Sequence, residues 1–198
     1  MASVVSDGRW KDWVRSVLPL IKGKDVLELG SGTGTLQVAL IEAGYFTLGI
    51  DQSRQMMRIA KSNLGRMVAQ PGILMRGWAQ ELPFADASMD TIVATFPSGY
   101  ITRPSTLLSC RRVLRHGGRL VVLLGVNIAD DSFKKRLLRG LYLITRQTLP
   151  PQSVLEKLRV KMRDFGFTAD FVSVTCQQDV LTVMVATADW PYQPGFIM

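Results

Sequence analysis

Three glycines at alternate positions follow directly on a short apolar run. From Val26 the chain reads Val-Leu-Glu-Leu-Gly-Ser-Gly-Thr-Gly, which places glycines at 30, 32 and 34. Because glycine has no Cβ, such a turn adopts unusual dihedrals and lets a ligand lie against the main chain. A helical pattern begins at Thr35. A strand, a glycine-rich turn and a helix in this order predict a nucleotide-like ligand on exposed backbone N–H groups at the helix N-terminus.

The spacing argues against two common nucleotide motifs. A dinucleotide fingerprint, Gly-x-Gly-x-x-Gly/Ala, needs a small residue at position 35, where the chain has Thr35. A phosphate-binding P-loop ends in Gly-Lys-Ser/Thr, and no such triplet follows. With Glu28 before the first glycine, the pattern is instead acidic-x-Gly-x-Gly-x-Gly.

A carboxylate stands at the end of the next apolar run. Residues 45–50 are predicted as a strand that ends in Asp51, seventeen residues after Gly34. In this place a carboxylate can accept hydrogen bonds from both hydroxyls of a ribose. The alternative is that Asp51 caps a helix that starts at Gln52, since aspartate is a favoured N-cap. The glycine run upstream favours the ribose role.

The acidic and glycine pattern resembles motif I of the class I S-adenosylmethionine-dependent methyltransferases. Two later segments resemble the same family: Arg-Gly-Trp-Ala-Gln-Glu-Leu-Pro-Phe over 76–84, and Arg-His-Gly-Gly-Arg over 115–119, a predicted turn into a strand over 120–124. Trp78 stands where relatives usually have an aspartate that contacts the adenine amino group. It either stacks on the adenine, as aromatic faces do, or fills the rim of the core.

This resemblance implies that the cofactor is S-adenosyl-L-methionine. The contacts that it implies lie on the glycine turn, at the end of the second strand, around Trp78 and at the end of the fourth strand. They are Glu28, Gly30, Ser31, Gly32, Gly34, Asp51, Gln52, Trp78, Ala79, Gln80, Thr95 and Phe96. For Ala79 the implied contact is made by the backbone N–H.

The resemblance also implies an α/β fold, a Rossmann-like sheet of seven strands in the order 3-2-1-4-5-7-6, with strand 7 antiparallel and helices on both faces. One domain over 1–198 is expected, with an N-terminal helix in 1–22, a cofactor-binding half in 23–125 and a substrate-side half in 126–198. Apolar spacing predicts helices over 9–21, 133–145 and 152–165, the second of them basic. Alternation over 167–175 and 180–187 predicts an antiparallel pair.

Candidate acceptor contacts follow the fourth predicted strand, because ligands of such sheets bind beyond the carboxyl ends of the strands. The segment Phe-Pro-Ser-Gly-Tyr over 96–100 is therefore expected beside the reacting methyl group. Tyr100 and Arg103 are the residues expected to contact the acceptor. His116, the only histidine, precedes the fifth strand at the opposite end of the sheet and is interpreted as a turn residue.

The same loop bears on the acceptor class. Methyltransferases that act on base amines or on protein glutamine carry Asn/Asp-Pro-Pro-Tyr/Phe there, whereas this chain has Thr-Phe-Pro-Ser over 95–98. An RNA-binding module is also not recognised, so nucleic acid is not the expected partner. The chain most resembles the small-molecule group that includes the ubiquinone and menaquinone biosynthesis methyltransferases. A small or lipid-like acceptor is expected.

Positive charge is concentrated in the second half of the chain. Residues 99–198 hold 14 Lys and Arg against 7 Asp and Glu, whereas residues 1–98 hold 10 against 9. Such a cluster can mark a surface for nucleic acid, an anionic membrane or an acidic ligand, but a set of solvated helix faces is the favoured single explanation.

Cysteine and histidine content predicts a cytoplasmic protein without a bound metal. The two cysteines have neither disulfide nor metal-ligand spacing, which suits a reducing compartment, and one histidine adds too little for a zinc site. The sequence shows neither an apolar run of membrane-spanning length nor a secretory signal pattern.

Two alternatives stay open at this point. An RNA or other nucleic-acid methyltransferase would use the basic half and bind with a steep dependence on salt. A non-catalytic cofactor-binding module would account for Trp78 and for the lack of a catalytic signature; methyl transfer to any acceptor would exclude it.

Overall fold

A sheet of seven strands forms the centre of the structure, a computed structural model that describes residues 8–67, 73–129 and 151–189. The strands are β1 (Asp25–Leu29), β2 (Phe46–Asp51), β3 (Ile73–Arg76), β4 (Met89–Thr95), β5 (Leu114–Asn127), β6 (Phe167–Cys176) and β7 (Asp179–Ala188). Their order is β3-β2-β1-β4-β5-β7-β6. β1 to β5 pair in parallel, and β7 is antiparallel to both of its neighbours. The predicted fold and the predicted antiparallel pair are confirmed.

The helices of the described residues are α1 (Trp10–Arg15), α2 (Thr35–Glu42), α3 (Arg54–Met67), α4 (Pro104–Val113) and α5 (Gln152–Asp164). Two short 3-10 turns, Leu18–Leu20 and Gly99–Thr102, accompany them. Within the described ranges we find no helix with the length and apolarity needed to cross a membrane. The predicted basic helix over 133–145 lies outside the described residues.

The N-terminal helix is shorter than the prediction over 9–21. α1 ends at Arg15, and the 3-10 turn that follows contains Pro19. Because proline has no backbone N–H and its ring clashes with the preceding turn, an α-helix does not continue through it. The predicted apolar side is nonetheless the buried one, since Trp13, Val14 and Val17 are almost fully enclosed.

The predicted turn over 115–119 is wrong as a separate element, because β5 already begins at Leu114. In the register with β4, Leu114 pairs with Met89 and Arg119 pairs with Thr91, so the residues between form a bulge. Arg115 anchors this bulge by donating to Asp25 at 2.7 Å and to Asp90 at 2.6 Å.

Both faces of the sheet are covered, as expected for strands that pair in parallel. On one face α4 and α5 contribute Leu107, Cys110 and Met162 to a first apolar cluster. On the other face α1 and α2 contribute Trp13, Leu36 and Leu40 to a second. The sheet therefore separates two cores, and the ends of its strands stay free to form a site.

We expect the substitution of a buried phenylalanine and that of an exposed phenylalanine to differ sharply in their effect on stability. Phe167 is 0% exposed at the start of β6, whereas Phe46 is 74% exposed at the start of β2. Phe167→Ala should lower the free energy of unfolding by about 3–5 kcal/mol through lost burial and a cavity. Phe46→Ala, the matched control, should change it by less than about 0.5 kcal/mol. Urea unfolding measures both, and equal losses would contradict the described packing.

Candidate ligand site at the glycine-rich turn

A cavity of about 420 Å³ opens at the carboxyl ends of β1, β2 and β4. This is where the strand order reverses, and ligands of open α/β sheets bind at such a point. The cavity is lined by Gly30, Ile50, Asp51, Gln52, Gly77, Trp78, Ala79, Gln80, Ser98, Gly99, Tyr100 and Arg103. The structure therefore brings together eight of the predicted site residues, including both candidate acceptor contacts.

The glycine turn uses conformations that other residues adopt at a cost. Gly30, Gly32 and Gly34 all have positive φ, at +70°, +52° and +79°. A Cβ on Gly34 would lie 2.6 Å from a methyl carbon of Leu64 in α3, so the turn and that helix are in direct contact. A Cβ on Gly30 would lie 3.0 Å from the Tyr100 hydroxyl. Glycine is needed here for backbone conformation and for space.

The sequence predicted that the backbone N–H groups of the turn are exposed to a ligand, but those of Gly30, Ser31, Gly32 and Gly34 donate to acceptors within the protein. Gly30 and Ser31 both donate to the carbonyl of Ile50, at 2.8 and 3.2 Å, and Gly32 donates to the Asp51 carboxylate at 2.8 Å. Gly34 donates to the Ser31 carbonyl at 2.8 Å. These four N–H groups are therefore engaged within the protein and do not form a phosphate cradle. A ligand with cationic groups fits a turn that adjoins the Asp51 carboxylate better than a phosphate does.

Asp51 combines a structural role with free acceptor capacity. One carboxylate oxygen accepts from Gly32 and the other from the Ser53 N–H at 2.7 Å. The helix cap is Ser53, whose hydroxyl accepts from Met56 at 3.3 Å, so Asp51 is not the N-cap of α3. A carboxylate has about four lone-pair positions, which leaves room for two further donors. Two ribose hydroxyls fit that requirement.

Glu28 lies beneath the turn in a buried polar cluster with Gln37 and Thr47. Gln37 donates to the Glu28 carboxyl at 2.8 Å, and the Thr47 hydroxyl donates to the Gln37 carbonyl oxygen at 3.1 Å. Burial raises the pKa of Glu28 to about 8, so at neutral pH it is mostly a neutral acid. The buried hydroxyl of Ser31 makes no hydrogen bond with the described residues. It is a polar group still available to a ligand or a water molecule at the turn.

The wall opposite the turn is formed by residues 77–80. Trp78 is 57% exposed, so its ring borders the cavity and does not fill the core. Gly77 holds the segment in place by donating to the Asp51 carbonyl at 3.1 Å. An exposed aromatic face next to a carboxylate suits a nucleoside, whose base can stack while its ribose is hydrogen-bonded.

The loop after β4 contributes Tyr100, whose hydroxyl donates to the Leu29 carbonyl at 3.3 Å. Burial raises the pKa of this phenol well above its ordinary value, and the nearby Cys110, Glu28 and Asp51 add to the shift. Tyr100 therefore stays protonated at neutral pH and is not a general base. Arg103 is exposed at the N-terminal end of α4, on the rim of the cavity.

Six predicted cofactor contacts do not line the cavity: Glu28, Ser31, Gly32, Gly34, Thr95 and Phe96. The first four form or support the glycine turn, whereas the ring of Phe96 lies 4.9 Å from that of Trp10, among the side chains of the second apolar cluster. Their contact with a cofactor stays a prediction. His116 lies with Arg111 and Arg112 in a separate groove that shares no lining residue with the cavity.

Two lining residues were not predicted, Ile50 and Gly77, whereas Ser98 and Gly99 belong to the segment 96–100 that was expected at the site. Ile50 and Gly77 are sequence neighbours of predicted residues, and adjacency was the available signal. Asp179 was missed as well. It is fully buried and accepts hydrogen bonds from Arg9 and Trp13, and no local pattern marks such a long-range anchor.

The chain is similar in sequence to known methyltransferases. Residues 27–122 match the family model described as a methyltransferase domain. A demethylmenaquinone methyltransferase from Tropheryma whipplei is 31% identical over 150 residues, which are 75% of this chain and 59% of that relative. The chain thus spans less than two thirds of the length of this curated relative.

Solved structures share the fold. A SAM-dependent methyltransferase from Aquifex aeolicus superposes with a TM-score of 0.67 at 16% identity, over 95% of this chain and 98% of that one. Magnesium protoporphyrin IX methyltransferase from Synechocystis PCC 6803, with bound SAH, gives 0.58 at 18%, over 95% and 81%.

The raised pKa of Glu28 predicts how stability depends on pH. The folded protein keeps this proton up to about pH 8, whereas an unfolded chain releases it near the ordinary value of 4.5. Each pH unit within that window therefore removes up to about 1.4 kcal/mol of stability. Glu28→Gln has no such proton and can still accept from Gln37. We expect the melting temperature of the wild type to fall relative to that of the variant from pH 5 to pH 8. Parallel profiles would contradict the assignment.

Proposed function

We propose that this chain, which belongs to the class I S-adenosylmethionine-dependent methyltransferases, binds S-adenosyl-L-methionine in the cavity and transfers its methyl group to a small-molecule acceptor. The observation that carries the proposal is the convergence of Asp51, Trp78 and the glycine turn on one cavity at the strand-order reversal. The three features match the ribose, the base and the amino-acid part of one ligand.

Different residues of the site are assigned to different parts of the cofactor. The Asp51 carboxylate accepts the ribose hydroxyls, and the Trp78 ring and the Ala79 backbone border the adenine. Glu28, Ser31 and the three glycines support the end at which the methionine part lies. Gln52 and Thr95 are assigned to the same cofactor from their positions at the strand ends, and Gln80 from its place in the cavity lining.

The bound cofactor supplies a methyl group already activated by a sulfonium charge. The chain has to hold the acceptor in line with it and exclude water, since proximity and desolvation lower the barrier of such a displacement. Tyr100 cannot take the acceptor proton at neutral pH, so its phenol orients groups by hydrogen bonding. Arg103 on the rim is the cationic residue that we assign to acceptor binding.

We propose a small or lipid-like acceptor. A curated relative is named demethylmenaquinone methyltransferase, and the loop over 95–98 lacks the motif of base and glutamine methyltransferases. We also propose peripheral contact with an anionic membrane or an acidic ligand, to which the basic residues of the second half would supply positive charge. The free cysteines Cys110 and Cys176 support a cytoplasmic location.

Thermal unfolding with ligand tests the cofactor. At 100 times its dissociation constant, S-adenosylmethionine or S-adenosylhomocysteine should add about 2.7 kcal/mol of stability. For a domain of this size we expect the melting temperature to rise by roughly 5–10 °C. NAD is the control. A shift with NAD and none with the sulfonium pair would reject the proposal.

Trp78 should contribute to the same binding by stacking. Trp78→Ala removes the ring and should weaken S-adenosylhomocysteine by about 1–3 kcal/mol, the range of base stacking on an aromatic side chain. Trp78→Phe keeps an aromatic face and should recover most of the affinity. Isothermal titration measures both variants, and an unchanged affinity of Trp78→Ala would show that the ring does not stack.

Incubation with radiolabelled S-adenosylmethionine tests the acceptor class. Label should move to a demethylated naphthoquinol but not to RNA. Transfer to RNA, in a reaction that salt suppresses steeply, would instead favour the nucleic-acid alternative.

A further inference from the structure

The residue that follows β4 adopts an unfavourable backbone conformation. Phe96 has φ +47°, in the left-handed region that bulky side chains rarely enter. It also precedes Pro97, and a residue before proline favours extended backbone. Such a conformation persists only where the surroundings hold it, and it is typical of functional sites.

Two tryptophans of α1 hold the Phe96 ring. The Trp10 ring centroid lies 4.9 Å away with an interplanar angle of 30°, and that of Trp13 lies 6.4 Å away in an edge-on arrangement. Both geometries are favourable for aromatic pairs. The Phe96 N–H donates to the Leu123 carbonyl at 2.8 Å, so ring and backbone are held independently.

Asp179, at the start of β7, holds α1 in place. Its carboxylate accepts from Arg9 at 2.8 and 2.9 Å and from the Trp13 indole N–H at 2.9 Å. The Ala129 N–H adds a longer bond of 3.3 Å. The Asp179 side chain is fully buried, so these bonds are shielded from water and α1 cannot shift without breaking them.

The loop that starts at Phe96 forms one wall of the cavity, through Ser98, Gly99, Tyr100 and Arg103. We propose that Trp10 and Trp13, anchored on Asp179, are positioning residues that hold Phe96 and thereby set this wall. We call Trp10, Trp13 and Phe96 the aromatic clamp. The clamp lies on the face of the sheet opposite α4, and residues 97–100 connect it along the chain to the cavity wall.

The clamp should affect one end of the cofactor more than the other; this step rests on the proposed function. The Tyr100 hydroxyl lies against Gly30, where the amino-acid part is placed, whereas Asp51 and Trp78 belong to β2 and the segment after β3. S-Adenosylhomocysteine reaches both ends. 5′-Methylthioadenosine has the same nucleoside and sulfur but lacks the amino-acid part, so the pair separates the two ends.

Hydrogen exchange in the absence of ligand tests the clamp itself. Ile101 and Arg103 donate to the Ser98 and Tyr100 carbonyls, at 3.3 and 3.1 Å, and report on the loop. Trp10→Ala should speed exchange in residues 98–103 and leave β2 unchanged, and Trp10→Phe should restore protection. Arg15→Ala is the matched control. Arg15 is in the same helix as Trp10, and its substitution removes only an exposed ion pair with Glu42 of α2. Unchanged exchange in Trp10→Ala would overturn the clamp.

Ligand titration tests the consequence for the site. In Trp10→Ala we expect the dissociation constant of S-adenosylhomocysteine to rise about tenfold and that of 5′-methylthioadenosine to stay within about twofold. Trp10→Phe and Arg15→Ala should match the wild type for both ligands. Equal weakening of both ligands, or of neither, would overturn the positioning role. If neither ligand binds the wild type, the proposed function fails, and the exchange data still decide whether the clamp holds the loop.

Discussion

The end of strand β2 holds the glycine turn, and the rest of the site depends on this contact. The Ile50 carbonyl accepts two N–H groups of the turn, and the Asp51 carboxylate accepts a third. Since Leu29 pairs with Ile50 in the sheet, the register of β1 against β2 decides whether these bonds can form. What then faces the cavity is a carboxylate with free lone pairs and a turn without side chains. That surface suits a nucleoside bearing a positive charge.

Much of this arrangement could be predicted because its determinants are close in sequence. The glycine spacing, the strand that precedes it and the carboxylate at the end of the next strand are local patterns, and the structure brings Gly30 and Asp51 to one cavity. The antiparallel pair β6 and β7 was likewise readable from alternation in the sequence. The start of β6 buries alternate side chains as this pattern implies, whereas β7 is buried on both faces over 181–184.

The features that escaped prediction depend on partners far away in the chain. Asp179 is bound by residues 166 and 170 positions away, and neither its type nor its neighbours indicate this. The contact of Phe96 with the cofactor stays a prediction, but the packing of its ring on Trp10, on the other side of the sheet from α4, was not predicted. The bulge in β5 depends on Arg115 meeting two carboxylates of other strands. Single-sequence patterns do not contain such pairings.

Two features of this fold work against stability close to the site, although neither side chain lines the cavity. Glu28 is an acid enclosed within the sheet, where an apolar residue would cost nothing to bury, and Phe96 has a left-handed backbone that glycine would adopt freely. Elsewhere in the described residues, local preference and packing mostly agree, as the alternating faces of β4 show. Positive φ also occurs at Ala87 and Gln177, which do not line the cavity, so backbone strain alone does not mark a ligand site. Glu28 and Phe96 differ from these because each lies two positions before a residue that lines the cavity, and ligand binding is a physical reason that accounts for both. The buried acid supports the glycine turn and the strained residue begins the loop after β4, so each lies behind a different part of the cavity lining.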